Sequence, residues 1–405
     1  MDPDTNSQAI TPLPLEVLWV AGSLALIATV IAGIVPAFIG TWQVQYGIGA
    51  DRAAFVVAAE FIAQVAGAGV FILASRQWSW RQCAWGGLAV VMAGNLASAL
   101  SPNLAALIPA RALAGLGGGV LRALGMTCLA RAIHPGLAFA VYATAQVAIA
   151  AVITAALPAI IAAVGVRGPF VAIAAIAGAA LLSTHLLPPA KTSTRPGDWR
   201  RIPPLPAAGS WAIAALFVYF LGQGALWTFL DPIGRSRSID PAGITRALTL
   251  LNVAGLIGSF GVGALAHRVP PMSALAVLSA VGLVSVLALF NAHTSAQFIA
   301  AACGFYFAWC ASFPFQFNII ARADSTGTAG AAVPAVDTLG LAAGAALAGL
   351  CLPHLGVIAT AWIWAAGSGI GISCFAVAIR ARRNAIAALE AALPPNFSVG
   401  AKSCQ

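Results

Sequence analysis

Between Leu205 and Leu230 the chain runs for twenty-six residues without a Lys, Arg, Asp or Glu. A soluble domain hides its apolar residues and covers its outside with charge, and a helix built from this stretch has no charged face to offer. Such segments suit hydrocarbon, where a helix satisfies every backbone N–H and C=O within itself. The pattern recurs along the chain: of 405 residues, 60% are hydrophobic and 8% charged, against roughly 25% charged in soluble proteins.

At about 20 residues per crossing, spans are expected near 15–38, 53–74, 81–100, 104–129, 137–161 and 166–187, and again near 210–231, 244–266, 272–291, 296–320, 328–352 and 356–380. The two sets flank the longest polar gap, 188–209, which holds Pro188, Pro189, Pro196, Pro203, Pro204 and Pro206 with Lys191, Arg195, Arg200 and Arg201. That composition marks a linker. The expected organisation is an N-terminal six-helix bundle over 1–187, a cytoplasmic linker over 188–209, and a C-terminal six-helix bundle with a short cytoplasmic tail over 210–405.

Charge orients the spans. With the N-terminus inside, thirteen of the 20 Lys and Arg residues fall in cytoplasmic segments and only Arg52, Arg167, Arg235, Arg237 and Arg246 fall outside. This bias predicts both termini in the cytoplasm and an even number of spans. A multi-pass protein of the cell membrane, a bacterial inner membrane, is expected. The net charge of +9 then reflects topology rather than nucleic-acid binding, which needs basic residues gathered on one face. Asp2 and Asp4 precede the first apolar run with no basic residue before it, so no cleaved signal is expected. Seven cysteines lack CxxC spacing and read as small core residues. No metal and no cofactor are expected.

The halves resemble each other. Leu73-Ala74-Ser75-Arg76 closes span two and Leu265-Ala266-His267-Arg268 closes span eight, an offset of 192 residues; at that offset Trp19 meets Trp211 and Glu60 meets Asn252. A six-plus-six duplication follows. Paired bundles rocking about a site between them expose it alternately to each side, which is transporter architecture.

At these residues the chain resembles the major facilitator superfamily, whose loop between the second and third helices carries G-x-L-A-D-R-x-G-R. Gly263-Ala264-Leu265-Ala266-His267-Arg268 follows that pattern with His267 in place of the acid, while the first copy keeps Leu73, Ala74 and Arg76 but has Phe71 and Ser75. Arg76, Gly263 and Arg268 are thus the gating-loop candidates. Proton-coupled members carry R-x-x-Q-G-x-G in the fourth helix, and Arg111-Ala112-Leu113-Ala114-Gly115-Leu116-Gly117 departs from it only at the glutamine. The glycine-proline motif of the fifth helix in many drug antiporters is missing. The resemblance implies an all-α membrane protein with 12 transmembrane helices in two pseudo-symmetric six-helix bundles, acting as a monomeric secondary active transporter of a small organic molecule. It also implies proton coupling, with export favoured over uptake.

An ionisable group inside a span costs upwards of ~2.5 kcal/mol, so each needs a reason. Glu60, Arg111, Arg122 and Asp337 are four such groups. Glu60 and Arg111 lie at similar depths in spans two and four, either as a permanent pair that locks two helices or as a pair that opens on protonation. Arg111 and Arg122 are eleven residues apart, about three turns, and share one face of the fourth span. A water-filled cavity there would let both receive an anionic group. Asp337 has no basic partner within the spans of its own half, which makes it, with Glu60 and Arg111, a candidate for proton coupling.

Aromatic residues at helical spacing supply the remaining candidates: Phe305, Trp309 and Phe313 in span ten with Gln316 near the same face, and Tyr219, Gln223 and Trp227 in span seven. In the resembled family helices one, four, seven and ten line the central cavity, so with Arg122 and Asn252 these residues are substrate-binding candidates. Flat, partly apolar or anionic aromatic compounds would suit such walls. No HExxH and no Walker loop appear, and Gly367-Ser368-Gly369 has no histidine nearby to pair with the serine. No catalytic residue is assigned. The expected partners are a small-molecule substrate, protons and the lipid bilayer, with no nucleic acid. Two other readings stay open: an uptake carrier, proton-coupled or facilitative, for an organic anion or aromatic metabolite, and a ligand sensor built on a carrier fold.

Overall fold

A computed structural model describes residues 12–189, 205–262, 268–324 and 328–392. Gly263 of the loop motif, most of the 188–209 linker and the end of the tail lie outside the described residues. Among those that are described, twelve helices are long and apolar enough to cross a membrane.

The first half comprises α1 (Leu15–Tyr46), α2 (Ala50–Ala74), α3 (Trp80–Leu100), α4 (Leu104–Leu129), α5 (Pro135–Val164) and α6 (Gly168–Ala180), the last continuing as a 3-10 turn to Leu186. In the second half α7 (Ala207–Thr228) is followed by a short α8 (Leu230–Ser236), then α9 (Pro241–Ile257), α10 (Pro271–Phe290), α11 (Ser295–Ala323), α12 (Thr328–Leu355) and α13 (Ile358–Ala392). Spans eight to twelve are therefore α9 to α13.

Local chemistry sets several of these boundaries. Ser79 and Gln82 form a reciprocal capping box at the start of α3, and Asn103, Asp240 and Thr294 cap α4, α9 and α11 through their side-chain oxygens. Gly47 ends α1 in the left-handed region at φ 60°, a conformation glycine adopts at no steric cost. α1 runs eight residues beyond the expected 38 because Pro36 sits within the helix without ending it, as membrane helices tolerate. α13 carries Arg380, Arg382 and Arg383 inside the helix rather than in a tail. The unforeseen α8 turns part of the connection after span seven into buried structure, with Leu230, Asp231, Pro232, Ile233 and Gly234 all buried.

Packing divides along the chain. α4 packs on α1, α2 and α3, and α7 on α12 and α13, with α11 on α9 and α10. The halves meet mainly along two seams, α2 with α12 and α5 with α9. Exchanging each span with the one six places along converts one seam into the other, the relation expected of a duplicated bundle. Trp19 and Trp211, matched by the 192-residue offset, are both exposed at the starts of α1 and α7.

The seams are unequal along their length. Toward the ends remote from the start of α1, Gly349 of α12 rests against the Asp51 carbonyl of α2, where a Cβ would come within 2.9 Å of that oxygen. Gly40 of α1 rests similarly against the Asp231 carboxylate of α8. Toward the opposite face, where α1 begins and α13 ends, α2 and α12 flank a cavity.

Candidate functional site

That cavity measures ≈ 230 Å³ and is walled by Gln64, Ala68 and Phe71 of α2, Arg122 and Met126 of α4, and Pro334 and Thr338 of α12, among others. Arg122 spans it. One guanidinium nitrogen donates to the Thr338 hydroxyl at 2.6 Å and another stands 3.7 Å from the Asp337 carboxylate. Nε is buried with no hydrogen-bond partner among the described residues. A buried unpaired donor is costly, and here it belongs to the cation that lines the cavity.

Asp337 thus has a basic partner after all, contributed by the other half. Sequence reasoning confined the search to its own bundle, and the pairing depends on how the two bundles face each other. Thr338 binds the same cluster, its hydroxyl proton divided between the Pro334 carbonyl at 2.8 Å and Asp337 Oδ1 at 2.9 Å, both of which accept.

Arg111 does not share this cavity. Its guanidinium makes a bidentate contact with Glu60, Nη2 to Oε1 at 2.5 Å and Nε to Oε2 at 3.1 Å, and donates a third bond to Asn95 Oδ1 of α3 at 3.0 Å. Phe170 of α6 lies 5.5 Å below the guanidinium carbon. Only 1% of Arg111 is exposed. The expected joint anion site at Arg111 and Arg122 is therefore corrected: both lie on α4, but Arg111 is held by Glu60 and Asn95, and only Arg122 lines the cavity. α2 and α4 come close because Gly67 faces the Leu116 carbonyl, Gly115 that of Glu60 and Gly119 that of Gln64, each with no room for a Cβ. At the 192-residue offset Glu60 and Arg111 correspond to Asn252 and Cys303, so the second half lacks the ion pair. Asn252 is buried and donates only to the Leu248 carbonyl of its own helix at 2.8 Å, leaving Oδ1 without a partner among the described residues.

The aromatic candidates of α7 and α11 form a contiguous cluster. Phe220 stacks on Phe313 at 5.7 Å and Trp227 on Tyr306 at 5.1 Å, with Trp309 edge-on to both Phe220 and Trp227. The stripe over Phe305, Trp309 and Phe313 is continuous, with successive ring centroids 6.0 and 6.2 Å apart, and Phe305 also meets Trp364 of α13 edge-on. Gln223 likewise turns to α13, accepting from Trp364 Nε1 at 3.1 Å and donating to Ser368 at 3.4 Å. It does not face the cavity walled by Arg122. Tyr219 bonds Ser312 at 3.2 Å, and Gln316 donates to the same hydroxyl at 2.8 Å. Trp309 Nε1 and Gln316 Oε1, two turns apart on α11, are buried with no partner among the described residues. Trp227 donates to the Ala32 carbonyl of α1 at 3.2 Å and so crosses between the halves.

Sequence reasoning missed Asn95, Ser312, Thr338 and Trp364. Each is a polar or indole side chain inside an apolar run, a signal visible in the sequence but shared by several other residues. Of the loop-motif candidates, Arg76 is half-buried and Arg268 exposed.

Twelve apolar helices in two halves, meeting along two symmetry-related seams, one of which holds a cavity walled in part by Arg122, have the architecture of a multi-pass membrane transporter. A family model described as Major Facilitator Superfamily matches residues 20–336. The chain belongs to that superfamily, whose members are transporters rather than enzymes as a rule. No curated protein matches the sequence.

Proposed function

We propose that the protein is a proton-coupled secondary carrier of a small organic anion, which it binds between the halves at Arg122. The observation that carries this reading is the Arg122–Asp337 pair with its unpartnered Nε. A half-buried cation inside a membrane span needs a counter-charge. When Asp337 takes a proton, Arg122 loses its partner and the substrate anion replaces it; when the anion leaves, Asp337 releases the proton and re-pairs. The site keeps the same net charge in both states, so anion and proton move together. Export was the direction favoured by sequence, but this pairing supports co-transport, so an inward proton gradient drives uptake.

Tyr219, Trp227, Asn252, Trp309, Phe313 and Gln316 do not line the cavity at Arg122, whose apolar walls are Val65, Phe71, Ile72 and Met126; as substrate-binding candidates they form a separate group, with Trp309 Nε1 and Gln316 Oε1 unpartnered among the described residues. Glu60 and Arg111 act as a permanent lock between α2 and α4, on the strength of three hydrogen bonds and near-complete burial. The face where α1 begins is assigned to the cytoplasm from the arginine bias, which makes the described conformation one whose cavity lies on the cytoplasmic side. The division into bundles over 1–187 and 210–405, a monomeric state and an inner-membrane location belong to the same reading.

The test is flux in proteoliposomes across a panel of radiolabelled monocarboxylates, with imposed pH gradients of both signs. Accumulation should follow the direction of the proton gradient and cease in Arg122→Gln. Flux indifferent to both gradients would exclude proton coupling, and undiminished flux in Arg122→Gln would remove the anion site.

A further inference from the structure

A second cavity, ≈ 300 Å³, lies between α1, the end of α4 and α5. Leu18, Trp19, Gly22, Ile133 and Leu137 line it, and Trp19, Ile133 and Leu137 are exposed on the outer surface of the bundle. In a membrane that surface meets lipid, so the groove opens to the bilayer. Its inner wall is the buried Tyr142, packed with Ala25, Leu129 and Met126. Met126 also lines the cavity that holds Arg122. The Tyr142 hydroxyl shares a hydrogen bond with Thr29 at 3.3 Å and is close enough to Arg122 and Asp337 to feel both charges. Tyr142, with Met126, therefore separates an apolar groove from the polar cavity.

This partition is built to open at low cost. The Thr29 hydroxyl is also bonded to the Ala25 and Leu26 carbonyls at 3.1 and 3.3 Å, so it keeps partners when Tyr142 turns away. The tyrosine hydroxyl already interacts with Arg122 as well, so it too has a partner besides Thr29. Rotamer changes in Tyr142 and in the flexible Met126 join two volumes that together fall within the size range of small-molecule sites, roughly 300–1,000 Å³.

We propose that Tyr142 is a movable partition, and that the substrate is a single-chain amphiphile whose carboxylate binds Arg122 while its apolar chain lies in the α1–α5 groove. The proposal rests on the reading of Arg122 as the anion site. It goes further in naming the substrate's shape and its route, laterally from the bilayer past Tyr142. The chemistry is complementary at both ends: the groove is apolar apart from Ser23 and the exposed His134, and the cavity presents a guanidinium whose Nε has no partner among the described residues. One cation balanced by one proton selects a monoanion.

The probe is radiolabelled decanoate bound to the detergent-solubilised full-length protein, measured by scintillation proximity beside benzoate, which has a carboxylate and no chain. Unlabelled decanoate should displace the label at least tenfold better than decanol or acetate. Gly22→Phe fills the groove, where the nearest atom to an added Cβ is 4.0 Å away. It should weaken decanoate at least tenfold and leave benzoate unchanged, whereas Tyr142→Ala should speed decanoate association several-fold. Arg122→Gln should abolish binding of both anions, with partial recovery in Arg122→Lys.

Unchanged decanoate affinity in Gly22→Phe, with both anions still lost in Arg122→Gln, overturns the groove and leaves the anion site standing. Both anions unaffected by Arg122→Gln overturns the anion site and the proposal with it. Displacement of decanoate, but not benzoate, by phosphatidylglycerol makes the groove a seat for resident lipid and overturns it as a substrate route.

Discussion

Arg122 of α4 and Asp337 of α12 form an ion pair at 3.7 Å across the seam between the two halves, in a sequence that separates them by more than half its length. Both are partly exposed, at 20% and 17% of the side chain, so the pair is accessible to protons and to a competing anion in a way that Glu60–Arg111 is not.

If this pair couples the two fluxes, Asp337→Asn should retain exchange of labelled for unlabelled substrate but lose accumulation driven by a proton gradient. Counterflow and gradient-driven uptake, measured on the same proteoliposomes, separate the two. Full gradient-driven accumulation by Asp337→Asn would assign the proton to another group.

The buried pair in the first half should behave as structure. Glu60→Gln leaves the Arg111 cation buried without its counter-charge, a class of change that costs about 3–5 kcal/mol. Apparent Tm in detergent should fall sharply in Glu60→Gln and recover in part when Arg111→Gln is added, because the second change removes the stranded charge. A wild-type Tm in the single variant would show that the pair contributes little.

Helix contact between α2 and α4 depends on missing Cβ atoms. Gly119→Ala places a methyl against the Gln64 carbonyl, and overpacking of this kind costs roughly 1–3 kcal/mol. Since Gln64 also lines the cavity, transport should fall along with stability. Gly69→Ala is the matched control, because nothing lies within 4 Å of an added Cβ there. Thermal unfolding of the two variants side by side is the measurement, and equal Tm values would refute the packing argument.

Asp240 supplies a pH-dependent element outside the membrane. Its carboxylate accepts from the Ser295 hydroxyl and from the Gly243 backbone N–H at the start of α9, and these bonds hold it below the usual aspartate range. A lowered folded-state value means that its stabilising contribution is complete above the ordinary value of about 3.9 and is lost as pH falls through the lower one. Asp240→Ala should therefore be less stable than wild type at neutral pH, with the gap closing on acidification. A gap independent of pH would mean that the carboxylate's charge plays no part.

Much of this was legible beforehand. The spans follow from hydropathy, which is a property of each segment alone, and the pairing of Glu60 with Arg111 follows from depth, since two helices of one bundle that run in the same direction leave few ways to match two buried charges. The partner of Arg122 was not legible for the converse reason. Asp337 comes from the other bundle, and no sequence period records which faces two bundles turn toward each other. The α7 candidates show a smaller version of the same limit: Tyr219, Gln223 and Trp227 share a helical spacing, yet none lines the cavity and Gln223 bonds Trp364 and Ser368 of α13.

By itself the sequence determined that this chain crosses a membrane twelve times as helices, that its halves are related, and that a handful of charges in hydrocarbon require partners. Backbone hydrogen bonding and the cost of burying charge act locally, and those statements are local. Only the tertiary structure decided that Arg111 is held by Glu60 and Asn95 while the Nε of Arg122 has no partner among the described residues, that the seam is tight around Gly349 and open around Arg122, and that Tyr142 lines the groove between α1 and α5. Such features depend on side-chain shape where separate helices meet, and that shape exists only once the bundles have packed.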